Sequence, residues 1–284
     1  MNKRFGANIY VIISIILGYF LSQVVFKEYA NGVNSALLTN ILNIVNNIVI
    51  TLIPLIIFAV FNKQKFANFF KTVPAKKIWF YILITPAVWS ASNYFNSEMN
   101  LILKHFGLVM IEQLPKGKES ETLISGFILT CVIAPVFEEL LYRGVVLSLL
   151  KGYGKGGAIA LSALLFAIAH GSITVFGAPF ILGIVTAYVT IKCGSIWPAM
   201  VIHFVNNLLS WTVMSLSLGA EISALISIAI ILIGAAWLIW ALIKILRERH
   251  KIGEILRQML SYFKNPLWLP IAINYIYINI LIHG

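Results

Sequence analysis

Residues 135–144 have the sequence PVFEELLYRG, which places two adjacent glutamates and an arginine inside a long apolar run. An ionisable side chain at membrane depth raises the free energy of insertion by roughly 2.5–3.5 kcal/mol, so three of them close together require a reason. Glu139 and Arg143 are four residues apart, so on a helix they share a face and can pair. Glu138 points about 100° away around the helix and is left free to face something else.

Pro135 precedes the two glutamates and has no N–H to donate. Its ring clashes with the carbonyl of Cys131, which predicts a kink in the helix just before the glutamate pair. A carbonyl released next to a carboxylate is a place where water can be held within a bilayer.

The composition is that of a polytopic membrane protein. The 284 residues are 60% hydrophobic and 11% charged, with a mean hydropathy of +0.92. The polar stretches are too short for a separate domain, so residues 1–284 are predicted to form one integral-membrane domain. Two cysteines, Cys131 and Cys193, do not make a disulfide framework or a Cys-rich metal site. The net charge of +11 lies in short loops between apolar runs, which argues against nucleic acid as a partner.

The apolar runs predict an all-α fold, a bundle of about eight transmembrane helices, with seven to nine as the range. The predicted spans are residues 9–26, 37–61, 78–95, 122–150, 158–170, 176–192, 198–218 and 222–246. Residues 99–114 and the basic segment 247–264 are predicted to lie in the membrane interface. The tail 265–283 is either a ninth span or a segment lying on the membrane.

The loop cations predict the orientation of these spans. Sixteen of the 21 Lys and Arg residues fall on the side of the N-terminus, and four fall on the other side. This bias predicts a cytoplasmic N-terminus. The many Ile, Asn and Lys residues indicate an AT-rich genome, so the predicted location is a bacterial plasma membrane, with the lipid bilayer as a partner.

Polar residues recur at membrane depth in two further spans. His170 ends the fifth span, and His203 and Asn207 are four apart in the seventh, so they share a helix face. At 1.5 Å per residue, Glu138, His170 and Asn207 lie about 16 to 20 Å from the inner ends of their spans, with His203 one turn closer. The sequence therefore predicts that these polar side chains can meet in one layer.

These polar residues are compatible with two kinds of catalytic site. A buried glutamate can act as general base for a water, a neutral histidine can help hold that water, and His and Asn can donate to a developing oxyanion. Alternatively, Glu138, His170 and His203 can ligate Zn²⁺ with water in the fourth position. The chain has no H-E-x-x-H helix, no aspartate and no G-x-S-x-G elbow. We expect no metal or other cofactor, with zinc as the alternative.

Each of these residues also has a purely structural interpretation. A Glu–Arg pair can hold helices together, and a single histidine can bond a backbone carbonyl. Asn207 taken alone is typical of packing. The convergence of costly polar groups from three spans favours a functional interpretation of the whole set.

Three segments resemble the three motifs of the CAAX protease and bacteriocin-processing family, also called CPBP or Abi: Glu138-Glu139-x-x-x-Arg143, Phe166-x-x-x-His170 and His203-x-x-x-Asn207. The resemblance covers residues 135–207, within a motif-bearing core at about 122–218. It implies a helical intramembrane endopeptidase that depends on glutamate. Eukaryotic members cut prenylated CAAX proteins, and bacterial members are linked to peptide maturation and bacteriocin self-immunity.

For the site, the resemblance implies Glu138 as general base and His170 as its partner on the water. It implies His203 and Asn207 as the oxyanion hole. The residues that it implies as supporting are Glu139 and Arg143.

The sequence thus favours an intramembrane endopeptidase that hydrolyses a membrane-associated peptide or protein. The alternative is a non-enzymatic immunity or scaffold protein of the same fold. A transporter or channel that uses the polar cluster as a proton relay is a third interpretation, which the lack of inverted repeats disfavours.

Overall fold

The computed structural model describes residues 7–18, 36–62, 68–106, 120–215, 251–264 and 266–277, with single helical positions between 225 and 247. Within these residues the secondary structure is helical and no strand occurs, which confirms the all-α prediction. The helices are numbered α1 (Ala7–Gly18), α2 (Ala36–Phe61), α3 (Ala75–His105), α4 (residues 120–153), α5 (Lys155–Ala169), α6 (Gly177–Cys193), α7 (Trp197–Ser215), α8 (Ile252–Phe263) and α9 (Leu269–Tyr277).

The predicted count of about eight spans is not confirmed. Among the described residues, two helices are long and apolar enough to cross a membrane, Ile41–Phe61 and Leu123–Tyr153. Helix α5 has 15 residues, about 22 Å at 1.5 Å per residue, which is shorter than a hydrocarbon core of about 30 Å. Most of the predicted span 222–246 and half of the span 9–26 lie outside the described residues.

Helix α4 carries the glutamate pair and contains two π-helical stretches, Ile128–Ile133 and Leu140–Val146. The backbone stays right-handed helical at each junction, so residues 120–153 form one continuous element. At the first stretch the N–H of Ala134 bonds the carbonyl of Leu129, five residues back. In that register the N–H of residue 135 would bond the carbonyl of Thr130. Residue 135 is a proline and has no N–H, so this bond is absent.

Helices α5 and α6 pack closely because a glycine lies at their crossing. A Cβ added at Gly183 would come within 2.9 Å of Cα of Ala163, so a larger residue would push the helices apart. Helix α3 packs against α6 and α7, and Trp89 Nε1 donates to Ser210 Oγ at 2.8 Å. These contacts fix the helices that surround α4.

The basic segment predicted for the interface forms α8 and docks on the start of α5. The N–H of Gly157 donates to Oε1 of Gln258 at 2.7 Å. Tyr262 is buried, and its hydroxyl donates to Oδ1 of Asn8 in α1. Helix α8 therefore ties the first helix to the central bundle.

Candidate active site

A cavity of about 580 Å³ opens among helices α2, α4, α5, α6 and α7. Its lining includes the four residues predicted to be catalytic, Glu138, His170, His203 and Asn207. Its volume lies within the range of about 300–1,000 Å³ that is usual for ligand sites. The two residues predicted to be supporting, Glu139 and Arg143, do not line the cavity and are buried behind it.

The predicted pair of Glu139 and Arg143 is present. Arg143 Nε lies 3.0 Å from Oε2 of Glu139, and both side chains are fully enclosed. The N–H groups on Nε and Nη2 donate to Oγ1 of Thr186 in α6, at 2.8 Å for Nε. The single hydrogen on Nε of Arg143 is directed at Thr186, so the contact between Arg143 and Glu139 acts mainly through charge. Accordingly, Oε2 of Glu139 has no hydrogen bond to any described residue.

Phe166 of α5 separates the buried charges from the cavity. The guanidinium of Arg143 lies over its ring, with Cζ 4.3 Å from the ring centre. The rings of His170 and His203 meet the same ring edge to face, at 4.8 and 5.8 Å between centres. This single aromatic side chain therefore packs against both histidines and the arginine.

His203 stands between the two adjacent glutamates of α4. Its Nδ1 lies 2.9 Å from Oε1 of Glu139, and its Nε2 lies 4.0 Å from Oε2 of Glu138. A carboxylate accepts hydrogen bonds, so Nδ1 carries a proton. It follows that Nε2 can donate only when the ring is an imidazolium, and is an acceptor when the ring is neutral.

Glu138 has a different environment from its neighbour Glu139. Its side chain is 18% exposed and lies on the cavity wall, whereas that of Glu139 is fully buried. The one-residue step around the helix that was predicted to separate the two carboxylates therefore separates them in the structure.

His170 caps the C-terminal end of α5 and is exposed at the cavity. Its Nδ1 lies 2.8 Å from the carbonyl oxygen of Phe166. A carbonyl can only accept, so Nδ1 donates and the neutral ring keeps a lone pair on Nε2. That lone pair is available to a water or another donor.

Asn207 is held by the carbonyl that Pro135 leaves without a donor. Its Nδ2 donates to the carbonyl oxygen of Thr130 at 2.8 Å. The side-chain amide has two N–H groups, so one remains for another partner. Because Pro135 leaves the Thr130 carbonyl free in the π-helical turn of α4, that carbonyl can hold Asn207 of α7 in place.

A metal site needs several donor side chains grouped around one point. Among the described residues, no three side chains of His, Cys, Asp or Glu are grouped so that they could hold one metal ion. The zinc triad of Glu138, His170 and His203 stays an alternative, which the chelation experiment in the Discussion tests.

Sequence reasoning overlooked two groups of residues near the cavity. One is Thr186, whose hydroxyl accepts from Arg143. The other is the set of asparagines Asn43, Asn46 and Asn47 on α2, which line the cavity. Their spacing of three and four residues inside an apolar run was a signal that these amides share one helix face.

Residues 120–209 match the model of a protein family. The family is described as Type II CAAX prenyl endopeptidase Rce1-like. This match confirms the resemblance drawn from the three motifs, and it covers 90 of the 284 residues, including α4 to α6 and most of α7. Searches of curated proteins and of solved structures gave no match.

The Rce1-like match indicates protease activity in a membrane context. Two helices of the described residues are long and apolar enough to cross a bilayer, which agrees with a membrane-embedded protein. The matched segment contains all six residues that the sequence selected for the site.

Proposed function

We propose that this protein is a multi-pass intramembrane endopeptidase with a cytoplasmic N-terminus in a bacterial plasma membrane. It hydrolyses a peptide bond of a membrane-associated peptide or protein with a water activated by Glu138. The observation that carries the proposal is the meeting of Glu138, His170, His203 and Asn207 at one cavity.

The water is held by two acceptors. Glu138 accepts one of its protons, and the lone pair on Nε2 of His170 accepts the other. With both hydrogens engaged, the oxygen lone pairs of the water are directed at the substrate carbonyl. The partial exposure of Glu138 to the cavity supports this role.

The oxyanion that forms on the substrate is stabilised by two donors. One is the second N–H of Asn207, because its first N–H is engaged by Thr130. The other is Nε2–H of His203, which requires the imidazolium form because Nδ1 bonds Glu139. Glu139 fixes the orientation of this ring, because its Oε1 accepts from Nδ1.

The bond changes balance without a covalent enzyme intermediate. The water oxygen bonds to the carbonyl carbon and Glu138 takes one proton. The C–N bond then breaks, and Glu138 gives this proton to the leaving amine. The other water proton stays on the acid product, so the products are a carboxylic acid and an amine, between which this proton then passes to give a carboxylate and an ammonium group. Glu138 returns to its starting state.

The proposal is tested by comparing cleavage products from wild type and Glu138→Gln. The purified full-length proteins, in lipid nanodiscs, are incubated with detergent-solubilised membrane proteins and peptides, and new N-termini are identified by mass spectrometry. We expect N-termini that depend on the wild type and disappear with Glu138→Gln.

Glu98→Gln is the matched control, since Glu98 is exposed on α3 and does not line the cavity. It should give the wild-type products. Equal product sets from all three proteins would overturn the glutamate mechanism. A cellular phenotype that survives Glu138→Gln would instead point to the non-enzymatic alternative.

A further inference from the structure

Five asparagines line the cavity, of which Asn207 alone belongs to the three motifs. Three of the others are on α2, outside the segment that matches the Rce1-like family. Asn43, Asn46 and Asn47 are spaced by three and four residues, so they lie on one face of α2. Among the described residues, the cavity lining contains no lysine, no arginine, and no carboxylate other than Glu138.

Three of these amides have an oxygen without a partner. Oδ1 of Asn46, Oδ1 of Asn47 and Oδ1 of Asn206 are buried and make no hydrogen bond to any described residue. An amide oxygen buried without a donor is destabilising, and most buried polar groups in proteins have a partner. These oxygens can therefore accept hydrogen bonds from a donor that the described residues do not supply.

Two asparagines outside the cavity behave differently. On α3, Asn93 donates to the carbonyl of Trp89 at 2.8 Å, and Asn96 accepts from the N–H of Gly177 at 3.1 Å. These are the bonds expected of structural asparagines between or within helices. Asn46, Asn47 and Asn206 differ from these two residues because their side-chain oxygens accept no hydrogen bond from any described residue.

The chemistry of the wall points to one class of ligand. A half-turn of a side-chain amide about its last bond exchanges its oxygen and its nitrogen, so each amide can present an acceptor or a donor. An extended peptide offers the complement, since its N–H and C=O groups repeat at about 3.3 Å per residue. A charged ligand would be matched by charged side chains, whereas the wall formed by Asn46, Asn47 and Asn206 presents neutral amides.

We propose that Asn46 and Asn47 of α2, together with Asn206 of α7, hydrogen-bond the backbone of an extended peptide in the cavity. This inference deepens the proposed function and rests on it for the identity of the ligand as a substrate. It assigns two of the three contacts with the substrate backbone to α2, which lies outside the matched segment, and it predicts binding with little dependence on side-chain sequence.

The test measures binding without cleavage. The protein is full-length Glu138→Gln in nanodiscs, and the probe is a dye-labelled alanine-leucine octapeptide followed by fluorescence anisotropy. A second probe has esters in place of alternate backbone amides, which removes N–H donors and leaves the side chains unchanged. The two probes are compared on Glu138→Gln alone and with Asn46→Leu, Asn47→Leu or both.

We expect the ester probe to bind about three- to tenfold more weakly per lost hydrogen bond. With Asn46→Leu and Asn47→Leu this difference should fall below twofold, because the partner of the N–H is already absent. Asn93→Leu is the matched control, since it makes the same change away from the cavity, and it should keep the full difference. Thermal unfolding is followed in parallel, and leucine should leave it unchanged or raise it, since a buried unpartnered oxygen is removed.

Asn46→Ala and Asn47→Ala remove the same amides without added bulk and are measured beside the leucine variants. The proposal is overturned if the octapeptide does not bind, if amide and ester probes bind equally, or if the leucine variants weaken both probes by the same factor. Cleavage by the wild type is scored separately. If the probes bind as expected but the wild type cleaves no peptide, the proposed function is refuted and the peptide-binding proposal still holds.

Discussion

Nδ1 of His203 lies 2.9 Å from Oε1 of Glu139, and Arg143 lies 3.0 Å from the other oxygen of the same carboxylate. One buried carboxylate therefore contacts a guanidinium that is buried behind the cavity and an imidazole that lines the cavity. Because these two contacts involve different partners, they can be separated by substitution.

Glu139→Gln should lower both stability and activity, since it removes the charge that Arg143 and His203 share. Glu139→Gln combined with Arg143→Met replaces the pair by neutral groups of similar volume, and such replacements are often neutral or stabilising. We expect the double variant to regain thermal stability without regaining kcat. Recovery of kcat along with stability would show that Glu139 does not assist His203.

Arg143→Ala should harm folding more than Glu138→Ala. The first removes the guanidinium that lies beside the fully buried Glu139, and loss of one partner of a buried ion pair is destabilising by about 3–5 kcal/mol. Glu138 faces the cavity, so its removal should abolish cleavage with nearly normal yield. Yield after detergent extraction and thermal unfolding measure both effects, and equal losses would contradict the distinction.

Thr186→Val should destabilise the protein, because Arg143 then loses the described acceptor of its Nε and Nη2 hydrogens. A hydrogen bond to a charged group contributes about 1.5–3 kcal/mol. Thr186→Ser keeps the hydroxyl and is the matched control. The measurement is thermal unfolding in detergent, and a valine variant as stable as the serine variant would argue against the bond.

Asn207→Ala should reduce kcat by about 10²–10³ with a small change in KM, as expected for the loss of an oxyanion donor. It also leaves the Thr130 carbonyl without its donor, so thermal unfolding must be followed to separate the two effects. Asn93→Ala, away from the cavity, should leave kcat unchanged. A decrease below tenfold in kcat would assign Asn207 to structure alone.

Chelation should leave cleavage unchanged, because the proposed donors supply the stabilisation that a zinc ion would otherwise give. The protein is treated with a chelator, bound metal is measured by mass spectrometry, and peptide cleavage is assayed before and after. Activity that is lost on treatment and returns with one equivalent of Zn²⁺ would replace this mechanism.

Sequence periodicity predicted some helices and the local pair well, but it ended the third span at residue 95, whereas α3 continues to His105. The second span was expected at 37–61 and the helix is Ala36–Phe61, and the i, i+4 pair of Glu139 and Arg143 is present. These features depend on the geometry of one helix. Contacts such as Arg143 with Thr186 depend on how two helices are rotated against each other, which spacing within one helix does not determine.

The same limit explains the overlooked wall on α2. Its asparagines share a face by spacing, but the direction of that face follows from packing against α4. The depth argument placed His170 and Asn207 in one layer with Glu138, and all three line the cavity. The orientation of His203 towards Glu139 required the rotation of α7 and was not predicted.

The buried cluster of Glu139, Arg143, Thr186 and His203 is completed only late in the synthesis of the chain. Thr186 lies 43 residues beyond Arg143, and His203 lies 64 residues beyond Glu139. When α4 leaves the ribosome, its arginine has Glu139 for charge but has no acceptor for its hydrogen bonds, and the second partner of Glu139 has yet to be synthesised. Stable integration of α4 into lipid therefore depends on later segments, so a nascent chain stalled before α6 would hold this helix at the insertion machinery.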